Sequence, residues 1–212
     1  MDDVLEVIGN CRVVAVLRAP RAATLAPIAD VLVGAGVRAV EFALTSAGAV
    51  EAIAAYRQSA PPQACIGAGT VLSVADAEAV IDAGARYLVT PAMLPEVIAV
   101  GVRRGVPVLA GALTPTEILA AHRAGASAVK VFPAASAGGP GYLRSLREPL
   151  PDIALVPTGG VGIDDAADYL RAGAMAVGLG GQLLGDAVRG GDLVALAERA
   201  RGLVARLAEV PA

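Results

Sequence analysis

Short apolar runs recur along the chain, and four of them are entered the same way. A stretch with helical spacing ends in Ala-Gly, and the apolar run starts at once. Ala35-Gly36 precedes 37–44, Ala83-Gly84 precedes 86–90, Ala124-Gly125 precedes 127–132, and Ala172-Gly173 precedes 174–179. A glycine just past a helix supplies the left-handed residue that ends it. Four more apolar runs, 13–17, 64–68, 106–109 and 153–156, fill the gaps. Each of these eight candidate strands is followed by a segment able to form a helix. A repeat of about 26 residues, strand alternating with helix, predicts a parallel sheet. Eight such units favour an α/β chain closed into a (β/α)8 TIM barrel, at the short end of that fold's range. An open, doubly wound sheet is the alternative. The run 13–17 leads into Arg18-Ala19-Pro20 and not into a GxGxxG turn, which weakens a dinucleotide-binding reading. Val4, Leu5 and Ile8 are spaced as the apolar face of a short helix preceding the barrel. No linker divides the chain, so residues 1–212 are expected to form one domain.

Composition narrows this picture. Hydrophobic residues are 56% of the chain and charged residues only 17%, which excludes disorder. Aromatics are 3% and Trp is absent, so the core is aliphatic, as suits strands covered on both faces. A net charge of −3, with scattered basic residues, leaves no footprint for nucleic acid. No apolar run reaches the roughly 18 residues of a membrane span. The acidic start, Asp2-Asp3, is unlike a signal peptide, and the expected compartment is the cytoplasm. Cys11, Cys65 and the single histidine, His122, fit no metal-ligand spacing, so no metal or other cofactor is expected. Asp164-Asp165, opening a helix after Gly162, reads as a complement to the helix dipole.

In a barrel of this kind the chemistry gathers at the C-terminal ends of the strands. The residues expected there are Arg18, Glu41 with Thr45, Gly69-Thr70, Thr90-Pro91, Thr114-Pro115, Lys130 with Phe132, Thr158-Gly159-Gly160 and Gly180-Gly181. Lys130 is the only lysine, against sixteen arginines. Arginine cannot give up its proton or form a Schiff base, whereas lysine can do both. Val129, Val131 and Phe132 flank it, and an apolar setting favours the amine over the ammonium. That makes it a candidate nucleophile. A surface lysine at a strand end is the bland alternative. Alternation along 40–45 puts Glu41, Ala43 and Thr45 on one face, opposite Val40, Phe42 and Leu44. Glu41 therefore points into the barrel. Beside Lys130 it is a candidate general acid/base. A buried Glu–Arg pair, with Arg18, is the structural reading.

The Gly-Gly steps 159–160 and 180–181 end the last two strands, where barrels often bind phosphate through backbone amides. Thr70, Thr114 and Thr158 offer hydroxyls at strand ends. Taken singly, each also reads as a helix N-cap, and Thr114 before Pro115-Thr116-Glu117 fits a helix start.

These stretches resemble a known family. Gly67-Ala68-Gly69-Thr70-Val71, Val129-Lys130-Val131-Phe132-Pro133-Ala134, Pro157-Thr158-Gly159-Gly160-Val161 and Gly180-Gly181 occur in the order found in 2-keto-3-deoxy-6-phosphogluconate aldolases, the class I aldolases of the Entner–Doudoroff pathway. The resemblance implies a TIM barrel assembled as a homotrimer. It implies Lys130 as the Schiff-base lysine and Glu41 as the general acid/base. Thr70 would meet the pyruvate carboxylate, and Pro91 and Phe132 would line the imine pocket. Thr158, Gly159, Gly160, Gly180 and Gly181 would hold the hydroxyl chain and phosphate of a phosphorylated keto-acid substrate. Two positions depart from the family pattern. Where phosphogluconate enzymes carry an Arg four residues after the Glu, this chain has Thr45, and Arg18 is the candidate to supply that charge. Where a Ser often follows the last Gly-Gly, this chain has Gln182. Cleavage of 2-keto-3-deoxy-6-phosphogalactonate or of 4-hydroxy-2-oxoglutarate stays open beside the phosphogluconate reaction. So does a non-covalent phosphosugar isomerase or epimerase on the same barrel. A phosphometabolite-binding protein would give a lone buried lysine beside a glutamate little to do.

Overall fold

The computed structural model describes residues 4–211, so the acidic start at Asp2-Asp3 lies outside the described residues. Eight strands run β1 Val13–Leu17, β2 Ala39–Ala43, β3 Cys65–Gly69, β4 Tyr87–Val89, β5 Val108–Ala112, β6 Ala128–Val131, β7 Leu155–Pro157 and β8 Val177–Leu179. They are all parallel, in the order β7-β6-β5-β4-β3-β2-β1-β8. A single bridge, Thr158 to Gly178, joins β7 to β8 and brings the ring round to a nearly closed barrel.

Among the described residues, ten α-helices accompany them. α1 is Val4–Cys11, α2 Ala26–Gly34, α3 Ala49–Ser59, α4 Val74–Asp82 and α5 Pro95–Arg104. α6 is Pro115–Arg123, α7 Gly139–Arg147, α8 Ala166–Arg171, α9 Gly181–Leu184 and α10 Leu193–Ala208. Among the described residues, no helix is long and apolar enough to cross a membrane.

The four Ala-Gly signals work as the pattern predicts. Gly36, Gly84, Gly125 and Gly173 have φ between +93° and +100°. Each is followed by a backbone N–H that reaches back five residues to a helix carbonyl, as in Val37 to Leu32 and Ala85 to Val80. That double closure satisfies the last carbonyls of the helix and aims the chain at the barrel.

Strand edges differ from the apolar runs for local reasons. The fifth run was expected at 106–109, but β5 starts at Val108. The Val106 N–H still closes α5 by donating to the Gly101 carbonyl, and Pro107 has no N–H to give. β5 then continues through Ala110-Gly111-Ala112, which carries no large side chain to mark it. The eighth run starts late too, because the Ala174 N–H closes α8 on the Tyr169 carbonyl.

Strand alternation divides the core in two. Outward residues such as Ala15, Leu17, Val40, Phe42, Ile66, Leu88, Val129 and Leu179 pack under the helices. Inward residues form a smaller core of Val14, Ala39, Cys65, Tyr87, Val89, Leu109, Ala128, Val156 and Ala176. Val4, Val7 and Ile8 of α1 plug its N-terminal end. The floor of the barrel is thus apolar and filled, and the open end is the C-terminal one.

Candidate active site

At that open end lies a cavity of about 330 Å³. Arg18, Thr70, Pro91, Lys130, Phe132, Thr158, Gly159, Gly160, Gly180 and Gly181 all line it. They come from six different strand ends, far apart in sequence. Val16, Val161, Leu184 and Val188 complete an apolar wall that the sequence reading did not foresee, and Gln182 lies on the same rim.

Lys130 reaches the cavity from the inward face of β6. It is 8% exposed, and its Nζ lies 5.5 Å from the centre of the Phe132 ring. Glu41 points inward from β2, as alternation predicts, and is 2% exposed. Its Oε1 lies 3.9 Å from Lys130 Nζ. The two also share a pocket of about 10 Å³ beneath the main cavity with Thr158, Val14, Val16, Val89, Leu109 and Val156. Burial pushes the Glu41 carboxyl above the usual carboxylate range, and the charges of Lys130 and Arg18 pull it part of the way back.

Glycines make room for this pair. A Cβ on Gly69 would lie 2.9 Å from Glu41 Cδ and closer still to Oε1. A Cβ on Gly178 would strike Thr158, 2.9 Å from Cγ2 and nearer to Oγ1. These inward positions of β3 and β8 are empty so that polar side chains of neighbouring strands can occupy the top of the barrel.

Thr70 and Thr158 are not helix caps. Thr70 has φ +59°, a left-handed conformation uncommon for a residue with a side chain. Its Oγ1 accepts a long hydrogen bond, 3.4 Å, from Arg18 Nη2. Thr158 is buried and donates to the Val156 carbonyl at 3.3 Å. By contrast, Thr114 is the N-cap of α6, in a capping box with Glu117. Asp165 accepts from the Gly162 N–H ahead of α8, and Asp164 pairs with Arg206. His122 is exposed on α6.

Thr45 is the residue the fold does not bring in. β2 ends at Ala43 and the chain turns, with the Ser46 N–H donating to the Ala43 carbonyl. The turn breaks the alternation, leaving Thr45 exposed and off the cavity wall. Arg18 is the cation that stands at the cavity beside Thr70.

Two hydroxyls support the loops around the site: Thr90, expected at the end of its strand but given no role, and Ser46, which the sequence did not single out. Thr90 is fully buried, donates to the Ala92 carbonyl at 2.6 Å and accepts from the Gly111 N–H at 3.0 Å. It pins the loop that carries Pro91. Ser46 accepts from the Ala19 N–H and ties the loops after β1 and β2 together. Thr90 directly follows β4, whereas Ser46 lies in the turn three residues beyond β2.

The family model for KDPG and KHG aldolase matches residues 4–198. The chain belongs to that family. It is 36% identical over 201 residues to the 2-dehydro-3-deoxy-phosphogluconate aldolase of Pseudomonas aeruginosa, covering 94% of this chain and 91% of that one. It is 40% identical over 153 residues to the 2-dehydro-3-deoxy-6-phosphogalactonate aldolase of Escherichia coli K12, covering 72% and 74%. Among solved structures, the KDPG aldolase of Legionella pneumophila superposes with a TM-score of 0.85 at 25% identity, covering 95% and 98%. In that aldolase, pyruvate was captured at low pH as a covalent carbinolamine. The strand-end cavity with its lysine–glutamate pair is thus the candidate active site of an aldolase of this family.

Proposed function

We propose that the chain is a class I aldolase that reversibly cleaves a 2-keto-3-deoxy-6-phospho sugar acid to pyruvate and glyceraldehyde 3-phosphate. The observation that carries this reading is the pairing of Lys130 and Glu41. The only lysine of the chain is nine-tenths buried at the base of a strand-end cavity, 3.9 Å from a buried carboxylate. The carbinolamine trapped in the Legionella relative supports the same chemistry.

The steps follow from the residues present. Lys130 Nζ, as the free amine, adds to the C2 ketone to give a carbinolamine, which loses water to form an iminium. Glu41 supplies and removes the protons of these steps. Its carboxylate then takes the C4 hydroxyl proton. The C3–C4 bond breaks, its electrons flow into the iminium to give an enamine, and glyceraldehyde 3-phosphate leaves. Protonation at C3 and hydrolysis release pyruvate and restore the amine.

Binding roles follow position. Thr70, with Arg18 beside it, is assigned to the substrate carboxylate. Pro91 and Phe132 flank the imine carbon. Thr158 and the Gly159-Gly160 and Gly180-Gly181 amides are assigned to the hydroxyl chain and phosphate. Because Thr45 stands outside the cavity and Arg18 inside it, the phosphogalactonate substrate is the second reading, supported by the 40% identical Escherichia coli relative. Cleavage of 4-hydroxy-2-oxoglutarate would leave the Gly-Gly end unfilled. A homotrimer working in the cytoplasm completes the reading, on the family resemblance.

The test is borohydride reduction in the presence of pyruvate. A stable mass increase on the peptide carrying Lys130 is expected. An unmodified lysine would point to the isomerase, epimerase or binding-protein reading. Rates on the phosphogluconate-derived, phosphogalactonate-derived and unphosphorylated substrates then rank the aldolase alternatives.

A further inference from the structure

The loop after β4 folds inward over the neighbouring strand before it leaves the barrel. A Cβ on Gly111 of β5 would strike the carbonyl carbon of Pro91 and the nitrogen of Ala92, and would lie 2.5 Å from the Pro91 oxygen. The Pro91–Ala92 peptide therefore occupies the place where residue 111 would carry a side chain. Gly111 follows the inward Leu109 by two positions, so it faces inward as well. It pairs in register with Lys130 of β6, which pairs on its other side with Val156 of β7. The inward neighbours of Lys130 are thus a valine side chain on one strand and, on the other, a peptide supplied by the loop after β4.

One side chain holds that peptide down. Thr90 is 0% exposed. Its hydroxyl donates to the Ala92 carbonyl at 2.6 Å and accepts from the Gly111 N–H at 3.0 Å. The two bonds tie the peptide to the strand it lies on. The β4–β5 pairing ends at Val89 and Leu109, with the Thr90 N–H still donating to the Leu109 carbonyl. Beyond that point the hydroxyl, and not the backbone, receives the Gly111 N–H. Both bonds need a group that donates and accepts at one atom, which a hydroxyl does. Branching at Cβ stiffens χ1 and keeps that atom in place. Thr90 is not on the cavity wall, whereas Pro91 and Lys130 both are.

We propose that Thr90 is a positioning residue for the imine pocket: its hydroxyl fixes the Pro91–Ala92 peptide on Gly111, and that peptide forms the wall on the β5 side of Lys130 against which the substrate ketone is presented. This deepens the aldolase reading and rests on it. Attack by the amine needs the ketone in a near-attack position, and a displacement of about 1 Å costs on the order of 10²-fold in rate.

The variant is Thr90→Val, which keeps the branched shape and removes the hydroxyl. Borohydride trapping with pyruvate reads imine formation alone, and steady-state cleavage separates kcat from KM. Trapping rate and kcat are both expected to fall by about 10²-fold. KM is expected to stay within about threefold, because other strand ends hold the carboxylate and phosphate. Thr90→Ser, which retains the hydroxyl, is expected to recover most of the loss. A lowered Tm with kcat and trapping rate as in wild type would overturn the proposal and leave the hydroxyl a purely structural role. So would a loss carried by KM alone, or a Thr90→Ser enzyme as slow as Thr90→Val. If Thr90→Val does not fold, Gly111→Ala takes its place. Gly111 is not in the left-handed region, and the added methyl presses on the same peptide from the strand below. It is expected to slow trapping likewise, and trapping at the wild-type rate would overturn the proposal. Wild-type trapping is run first. If it fails, the aldolase reading falls; if it succeeds and the variants trap as fast as wild type, only the assignment of Thr90 falls.

Discussion

The carboxylate of Glu41 occupies the space that Gly69 leaves empty on the neighbouring strand. Gly69 is not in the left-handed region, so alanine is tolerated by the backbone there. What alanine changes is room, since its methyl would come within 2.9 Å of Glu41 Cδ. The carboxylate must then leave its place 3.9 Å from Lys130 Nζ. A misplacement of about 1 Å costs on the order of 10²-fold in rate. Gly69→Ala is therefore expected to lose about two orders of magnitude in kcat/KM. The overpacking itself costs about 1–3 kcal/mol. Circular dichroism and urea unfolding check that the fold persists. Activity within a few-fold of wild type would mean that Glu41 does not work from where it stands.

A buried base leaves a mark on the pH profile. Burial raises the Glu41 carboxyl above 4.5, and Lys130 and Arg18 only partly oppose it. As a base, Glu41 must be ionised, so activity is lost as pH falls through its raised value. The acid limb of kcat/KM is expected to have its midpoint above 4.5, not below it. Glu41→Gln should remove that limb and slow turnover by about 10²–10⁴-fold. A limb that survives in Glu41→Gln would assign it to another group.

The barrel and the placement of Lys130 beside Glu41 were legible for separable reasons. Four Ala-Gly helix ends and eight apolar runs specify a strand–helix repeat, because each is a local signal. Lys130 stood out by chemistry, as the one amine among arginines. Glu41 followed from alternation, which holds while the strand lasts. Thr45 was misplaced because β2 stops two residues earlier, and alternation has no meaning in a turn. Val161, Leu184 and Val188 were invisible as cavity wall, since nothing local separates an apolar residue under a helix from one beside a ligand. Thr90 and Ser46 act through loop carbonyls and amides whose positions exist only once the barrel is closed.

Cys65 should be inert until the barrel opens. It is fully buried at the start of β3, and burial raises its thiol from 9.0 to about 11. At pH 8 the thiolate is then only about 0.1% of the thiol, and the thiolate is the nucleophile. A thiol reagent at pH 8 is expected to leave Cys65 unlabelled in the native protein and to label it at once in denaturant, as read by peptide mass. Cys11, half-buried on α1 and also raised by burial, is expected to react first. Rapid native labelling of Cys65 would show that α1 does not seal the barrel floor.

The seam of the barrel tests how it closes. The seam between β7 and β8 is joined by the Thr158–Gly178 bridge and by the Met175 N–H donating to the Leu155 carbonyl, and at the bridge the threonine side chain fills the space above the glycine. A Cβ on Gly178 would sit against Thr158 Oγ1, 2.9 Å from Cγ2 and 3.0 Å from Cβ. Gly178→Ala is expected to destabilise the fold by about 1–3 kcal/mol through overpacking. Thr158→Ala takes away two of the three crowding atoms. Combined with Gly178→Ala it should recover part of that loss, giving a coupling of about 0.5–3 kcal/mol between two residues in contact. Urea midpoints of the four proteins measure this directly, independently of activity, which Thr158→Ala is expected to impair. Strictly additive effects would mean that the seam yields without strain and that the barrel is held closed elsewhere.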